Sequence, residues 1–157
     1  MNKYDELINR YEAGSESVQQ AFQAVPQERL DRNPAPGKWS PRQILVHLAD
    51  AELVLAHRIR IVAAAPNLPL QAFDQDRWAA ALSYQTQSAD DAVALFCAIR
   101  TSTTNMLRAL PALAFENIGL HEERGPLTLA ALVEGAISHS NSHARQITEA
   151  SGKTQVP

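Results

Sequence analysis

The sequence predicts an all-α fold, a four-helix bundle, from two observations. Apolar residues recur at steps of three and four in four separate segments, and caps or prolines bound each segment. The chain has 157 residues, of which 45% are hydrophobic, enough for one continuous core without disulfides or metal staples. We therefore expect a single domain over residues 1–157.

Three of the four helices are predicted from this periodicity and from their ends. The first helix ends by Pro26. The third begins at the cap Ser88 and runs to Pro111, and the last begins at the cap Thr128 and ends near Gly152. Serine and threonine side chains satisfy free backbone N–H groups at a helix start, and proline and glycine end helices. The segments between these ends are long enough to form the helices of a bundle.

The second helix carries the clearest local signal. Ser40 is an N-cap, Pro41 suits the first helical position, and Gln43 completes a capping box back to Ser40. The apolar face continues to about Ala65, where Pro66 stops the helix. This face includes a histidine, His47.

Two connections are unusually long for a compact domain. Residues 66–87 and 111–127 can each cross an end of the bundle, which argues against a plain up-down-up-down order. We expect Phe73, Trp78 and Tyr84 to anchor the first connection to the helices. Glycines and a proline in the second connection favour a short hairpin.

Composition narrows the classes of partner. A net charge of −3 with 14 scattered basic residues argues against nucleic acid, and no apolar run approaches the roughly 20 residues of a membrane span. The single cysteine, Cys97, and a start without a signal-peptide pattern indicate a cytoplasmic protein. We expect a small-molecule ligand, with no nucleic acid and no membrane partner.

Three of the five histidines fall on predicted inward faces. His139 and His143 are four residues apart on the last helix, so that both rings lie on one side, and His47 lies on the inward face of the second helix. Unpaired buried imidazoles cost roughly 1–3 kcal/mol for each unsatisfied group. A divalent metal ion bound to all three removes that cost. We expect His57 and His121 to be exposed.

The residues around these histidines resemble a known family. The segments GKWSPRQILVHLADAE (37–52), FDQDRWA (73–79) and HSNSHARQI (139–147) resemble the DinB-like, or YfiT-like, pattern. The resemblance implies an up-down-down-up four-helix bundle, often a homodimer, with a metal on the histidines at positions 47, 139 and 143. Some members of this family are thiol-dependent transferases and isomerases that use bacillithiol, mycothiol or glutathione.

Three imidazoles leave a coordination position open, as in catalytic rather than structural zinc sites. Zinc and nickel are the first choices of metal, although imidazole also suits iron and copper. The first prediction is a metal-dependent transferase using a low-molecular-weight thiol. The alternatives are a metal-dependent hydrolase on the same site and a non-catalytic helical module. The side chains expected to line the pocket or to support the ligands are Asp50, Arg42, Asp74, Trp78 and Arg145.

Overall fold

A computed structural model describes residues 3–152, in which five α-helices and a three-stranded sheet enclose three clusters of buried apolar side chains. The helices are α1 (Asp5–Gln23), α2 (Pro41–Ala64), α3 (Gln75–Ala81), α4 (Ala89–Ala109) and α5 (Leu129–Ala150). The strands are β1 (Pro69–Leu70), β2 (Ile118–His121) and β3 (Gly125–Thr128). None of the helices over this range has the length and apolar character needed to cross a bilayer.

The four long helices form the predicted bundle. Both α1 and α2 pack against α4 and α5, so α1 and α2 lie diagonally opposite each other. Arg42, near the start of α2, contacts Gln87 just before α4, and Arg60 contacts Thr103 further along, so α2 and α4 are parallel. Helix α5 is antiparallel to α2 and parallel to α1. The order is up-down-down-up, as predicted.

The start of α2 is fixed as the sequence predicts. The hydroxyl of Ser40 accepts a hydrogen bond from the backbone N–H of Gln43 at 3.4 Å, and the Gln43 side chain accepts one from the backbone N–H of Ser40 at 3.0 Å. Pro41 is the first helical residue. Because this cap sets where α2 begins, it also sets the depth at which His47 enters the core.

Both long connections contain regular structure. Residues 66–87 hold β1 and α3, while the second connection holds the hairpin of β2 and β3. The parallel pairing of β1 with β2 was not predicted, because two residues are too few for an alternating pattern. An added Cβ at Gly119 would lie 2.5 Å from Val62, so glycine there lets the hairpin approach α2 closely.

A buried ion pair links all four long helices. The guanidinium of Arg100 on α4 donates to both carboxylate oxygens of Glu52 on α2, at 2.9 Å each, and to the carbonyl oxygens of Tyr11 on α1 and Ala136 on α5. Both charged side chains are 1% exposed. An added Cβ at Gly14 would lie 2.5 Å from Arg100, so a larger side chain would disturb the pair.

Replacing one partner of this pair should destabilise the bundle strongly. We expect Glu52→Gln to lower the free energy of unfolding by about 3–5 kcal/mol, because it leaves the buried charge of Arg100 without its counter-ion. Urea denaturation followed by circular dichroism measures the change. The control is Glu134→Gln, which removes an exposed partner of Arg10 and should cost far less. Equal losses in the two variants would contradict the role given to the buried pair.

Candidate metal centre

Two helices bring the three predicted histidines together. His47 lies in the second turn of α2, whereas His139 and His143 lie one turn apart on α5. One ring nitrogen from each lies within 4.8 Å of the others. The ring centroids are 5.0 Å apart for His47 and His139, 4.9 Å for His47 and His143, and 4.6 Å for His139 and His143. The antiparallel packing of α2 on α5 thus produces the cluster.

The ring nitrogens have too few partners without a further group. Nε2 of His47 lies 3.0 Å from Nε2 of His139, and neutral rings can place only one proton between these two atoms. Nδ1, the other nitrogen of His47, is buried and has no hydrogen-bond partner in the described chain, and a metal on Nε2 would satisfy the crowded Nε2 pair but not this atom. Two nitrogens bound to one zinc at about 2.0–2.1 Å are roughly 3.3 Å apart in a tetrahedral arrangement. The donor set therefore fits a divalent ion.

A glutamine that sequence analysis missed orients the third ring. Nδ1 of His143 lies 2.8 Å from the amide oxygen of Gln146. Since that oxygen only accepts, we assign the proton to Nδ1, which leaves the lone pair of Nε2 free for a metal. Gln146 follows His143 by three residues on one helix, so the spacing could have identified it.

Aromatic side chains enclose the ring of His47. Phe73 stacks on it with a centroid separation of 6.0 Å and an interplanar angle of 6°, and Trp39 lies at 5.0 Å. Trp78 meets Phe73 edge to face. The predicted anchoring of residues 66–87 is confirmed by these contacts and by the buried ring of Tyr84. The connection therefore covers one side of the cluster.

Burial makes the histidines poor bases. It lowers the pKa of His47 to about 3, with the neighbouring His139 and His143 adding to the shift. It lowers the pKa of His139 to about 4, with His143 and Arg100 adding to it. The pKa of His143 is also lowered by burial, although the hydrogen bond to Gln146 opposes this. The rings are neutral near pH 7, which is the form that binds metals.

Two predicted pocket residues have structural contacts instead. Asp50 accepts a hydrogen bond from the Tyr84 hydroxyl at 2.6 Å, which ties the connection to α2. Asp74 caps α3, because its side chain accepts from the backbone N–H of Arg77. Trp78 contacts Phe73, which in turn stacks on His47.

The structure corrects the prediction that two arginines line the pocket. Arg42 pairs with Asp31 and donates to a backbone carbonyl before α4. The side chain of Arg145 is 66% exposed and lies in a groove between α1 and α5. Both side chains point to faces of their helices other than the one that carries the histidines.

His57 and His121 were both predicted to be exposed, and the structure agrees for one of them. His57 is exposed, as predicted. The prediction for His121 is wrong, since this residue is only 7% exposed. The cause is the alternation of β2, which turns His121 inward with Gly119 while Ile118 and Leu120 face out. A hairpin was predicted here, but its register was not, and the register decides that His121 faces inward.

A cavity of about 230 Å³ opens beside the cluster. It runs between α2 and α5 from the histidines to the hairpin, and its walls combine apolar side chains with cationic ones. The lining residues that matter below are His47, His139, Leu55, Arg58, His121 and Arg124. Cavities for drug-sized ligands are usually about 300–1,000 Å³, so this one suits a small molecule.

Comparison with known proteins agrees with this geometry. The family model of the DinB superfamily matches residues 10–147. The chain belongs to the DinB superfamily. YfiT of Bacillus subtilis is 24% identical over 148 residues, covering 94% of this chain and 83% of YfiT. A relative from Oceanobacillus iheyensis is 24% identical over 144 residues, covering 92% and 83%. Both bear the provisional name of metal-dependent hydrolase.

Solved structures share the fold of this DinB superfamily chain. The YfiT structure, described as an unusual four-helix bundle, has a TM-score of 0.88 at 24% identity and covers 97% of this chain and 89% of its own. A mycothiol-dependent maleylpyruvate isomerase has a TM-score of 0.74 at 12% identity. The match covers 91% of this chain and 60% of the isomerase.

The buried histidines predict a pH dependence of stability in the metal-free protein. Below about pH 6.5 the unfolded chain takes up protons that the folded imidazoles do not. The free energy of unfolding should therefore fall as the pH drops from about 7 to about 5, by up to about 1.4 kcal/mol per pH unit for each such histidine. Above that range these groups should have no effect.

Urea unfolding at several pH values measures this slope. His139→Gln should reduce the slope, and His57→Gln, at an exposed position, should leave it unchanged. A free energy of unfolding that stays constant from about pH 7 to about pH 5 would contradict the burial-depressed pKa values.

Proposed function

We propose that this DinB superfamily protein is a metal-dependent enzyme that transfers a small thiol to a small electrophilic substrate. His47, His139 and His143 would hold the divalent ion, with zinc and nickel as first choices. The observation that carries the proposal is the convergence of these three ring nitrogens within 4.8 Å at the end of a small cavity. Three protein ligands are typical of catalytic zinc sites, whereas closed structural sites have four.

A bound divalent ion lowers the pKa of a water or thiol ligand and so supplies a nucleophile near neutral pH. The protein's own groups support this in distinct ways. Gln146 fixes the tautomer of His143, and burial keeps the imidazoles neutral. Phe73 covers the ring of His47, which limits the access of water from that side.

The cavity has room for an organic thiol beside the histidines. Apolar side chains such as Leu55 line its middle, and Arg58 and Arg124 supply positive charge at the end away from the histidines. A thiol of low molecular weight fits a cavity of this kind. The structural likeness to a mycothiol-dependent isomerase supports the choice of a thiol.

A metal-dependent hydrolase on the same site is the second candidate. It is favoured by the names of the curated relatives, which cover most of this chain. In this case water would replace the thiol as nucleophile, and the three histidines would keep their role. A non-catalytic helical module is the third reading; it would require the three imidazoles to share hydrogen bonds without a metal.

Cobalt substitution tests the transferase directly. When bacillithiol, mycothiol or glutathione is added to the cobalt-loaded protein, a sulfur-to-metal charge-transfer band should grow. His143→Ala should abolish the band because it removes a ligand, whereas His57→Ala, at an exposed position of α2, should retain it. The loaded protein should then join the thiol to an electrophilic substrate.

The opposite outcome selects the hydrolase. If none of the three thiols changes the cobalt spectrum while the loaded protein cleaves an ester or an amide with water, the transferase proposal fails. If cobalt binds equally well to His143→Ala, the proposed ligand set fails as well.

A further inference from the structure

The end of the cavity far from the histidine cluster carries positive charge. Arg58 follows His47 by three helical turns on α2, roughly 16 Å along the axis and on nearly the same face. It lines the cavity together with His121 and Arg124 from the hairpin. Gly135, which lies one turn before His139 on α5, lines the cavity as well. The histidine cluster and this cationic group therefore lie at opposite ends of one small cavity.

Arg58 is anchored but keeps an unused donor. One terminal nitrogen of its guanidinium donates to the backbone carbonyl of Gln71. Its Nε is buried and has no hydrogen-bond partner in the described part of the chain. Neither Arg58 nor Arg124 forms an ion pair with a carboxylate anywhere in residues 3–152. A ligand in the cavity therefore meets the terminal nitrogens of this cation rather than its enclosed Nε.

His121 offers a second donor next to Arg58. Its Nδ1 accepts hydrogen bonds from the backbone N–H groups of Glu123, at 3.2 Å, and Arg124, at 3.4 Å. A nitrogen that accepts cannot carry the proton, so in the neutral ring the proton is on Nε2. Burial and the two nearby arginines lower the pKa of His121, which keeps the ring neutral. Nε2–H is then available to an acceptor.

Arg124 is the third member of the cationic group with Arg58 and His121. The neighbouring Glu122 and Glu123 form no ion pair with it in the described chain. An added Cβ at Gly135 would lie 3.9 Å from Nη1 of Arg124, so this guanidinium rests against the glycine at the cavity wall. Glu122 uses its carboxylate to accept from the backbone N–H of Ala72 at 2.8 Å. Glu123 faces solvent. These carboxylates reduce the net charge without occupying the donors of the cavity.

We propose that Arg58, His121 and Arg124 form a carboxylate-binding subsite for the small molecule that reacts at the histidine cluster. A planar carboxylate suits a guanidinium fork and a neighbouring imidazole N–H. The apolar middle of the cavity, with Leu55 and Leu132, suits a short hydrocarbon between the two ends. That this molecule reacts at the histidine cluster rests on the proposed function, whereas the binding of its carboxylate does not. The carboxylate belongs either to the thiol or to its electrophilic partner.

Binding of butyrate to the metal-free full-length protein tests the subsite alone. Nitrogen-15 NMR should show the Nε–H signal of Arg58 shifting as butyrate is added. The neutral isostere butyramide should bind at least about tenfold more weakly, since a tenfold change in affinity corresponds to one charge-assisted hydrogen bond. Arg58→Gln and Arg124→Gln should each weaken butyrate binding by a similar factor. Arg145→Gln, an exposed arginine on the other side of α5, is the matched control.

Arg58→Lys keeps the charge and most of the aliphatic stem while removing the planar guanidinium fork, so it should also weaken binding even if Arg58→Gln folds poorly. Equal binding of butyrate and butyramide would overturn the subsite. So would unchanged butyrate affinity in both Arg58→Lys and Arg124→Gln.

Matched thiols identify the molecule that carries the carboxylate. On the cobalt-loaded protein, mercaptopropionate should bind about tenfold more tightly than mercaptopropanol if the thiol carries it. Equal affinities, together with Arg58-dependent butyrate binding, would assign the carboxylate to the electrophile. Arg58-dependent butyrate binding with no thiol effect on the cobalt spectrum would keep the subsite and reject the transferase.

Discussion

The buried pair of Glu52 and Arg100 is the interaction on which the arrangement of the bundle depends. One guanidinium reaches a carboxylate on α2 and backbone carbonyls on α1 and α5, so it fixes the relative heights of four helices. Its contact on α5 is the carbonyl of Ala136, three residues before His139, and Glu52 is five residues after His47. The pair thus sets the register in which α2 presents its histidine to α5. Buried ion pairs contribute little net stability compared with apolar packing, but they disfavour other registers.

The histidine cluster requires this register and adds a cost of its own. Three neutral imidazoles beside one cavity have more ring nitrogens than hydrogen-bond partners, and Nδ1 of His47 has none in the described residues. Such a deficit is expected at functional sites rather than in ordinary cores. The far end of the cavity has a similar deficit, because Nε of Arg58 is buried and has no hydrogen-bond partner in the described residues. Both ends of one cavity therefore contain polar groups that protein contacts alone do not satisfy.

Local features were predictable from sequence, and features set by the connections were not. The cap at Ser40 and the pairing of His139 with His143 depend on residues within one turn of each other, so spacing alone reveals them. The burial of His121 depends on a four-residue strand that pairs with a two-residue one. Arg100 lies on the inward face of its helix, but nothing in its spacing identifies Glu52 as its partner. Long-range contacts of this kind require the assembled fold.

Metal content of untagged protein tests the central claim, that the bundle holds a divalent ion on three histidines, most directly. The account predicts about one divalent ion per chain after purification or after supply of zinc or nickel, as expected for a single three-histidine site. It also predicts loss of that ion in His139→Ala and its retention in His121→Ala, a control in which another buried histidine is removed. Protein that stays folded and takes up no stoichiometric metal, or equal metal content in the two variants, would contradict the account.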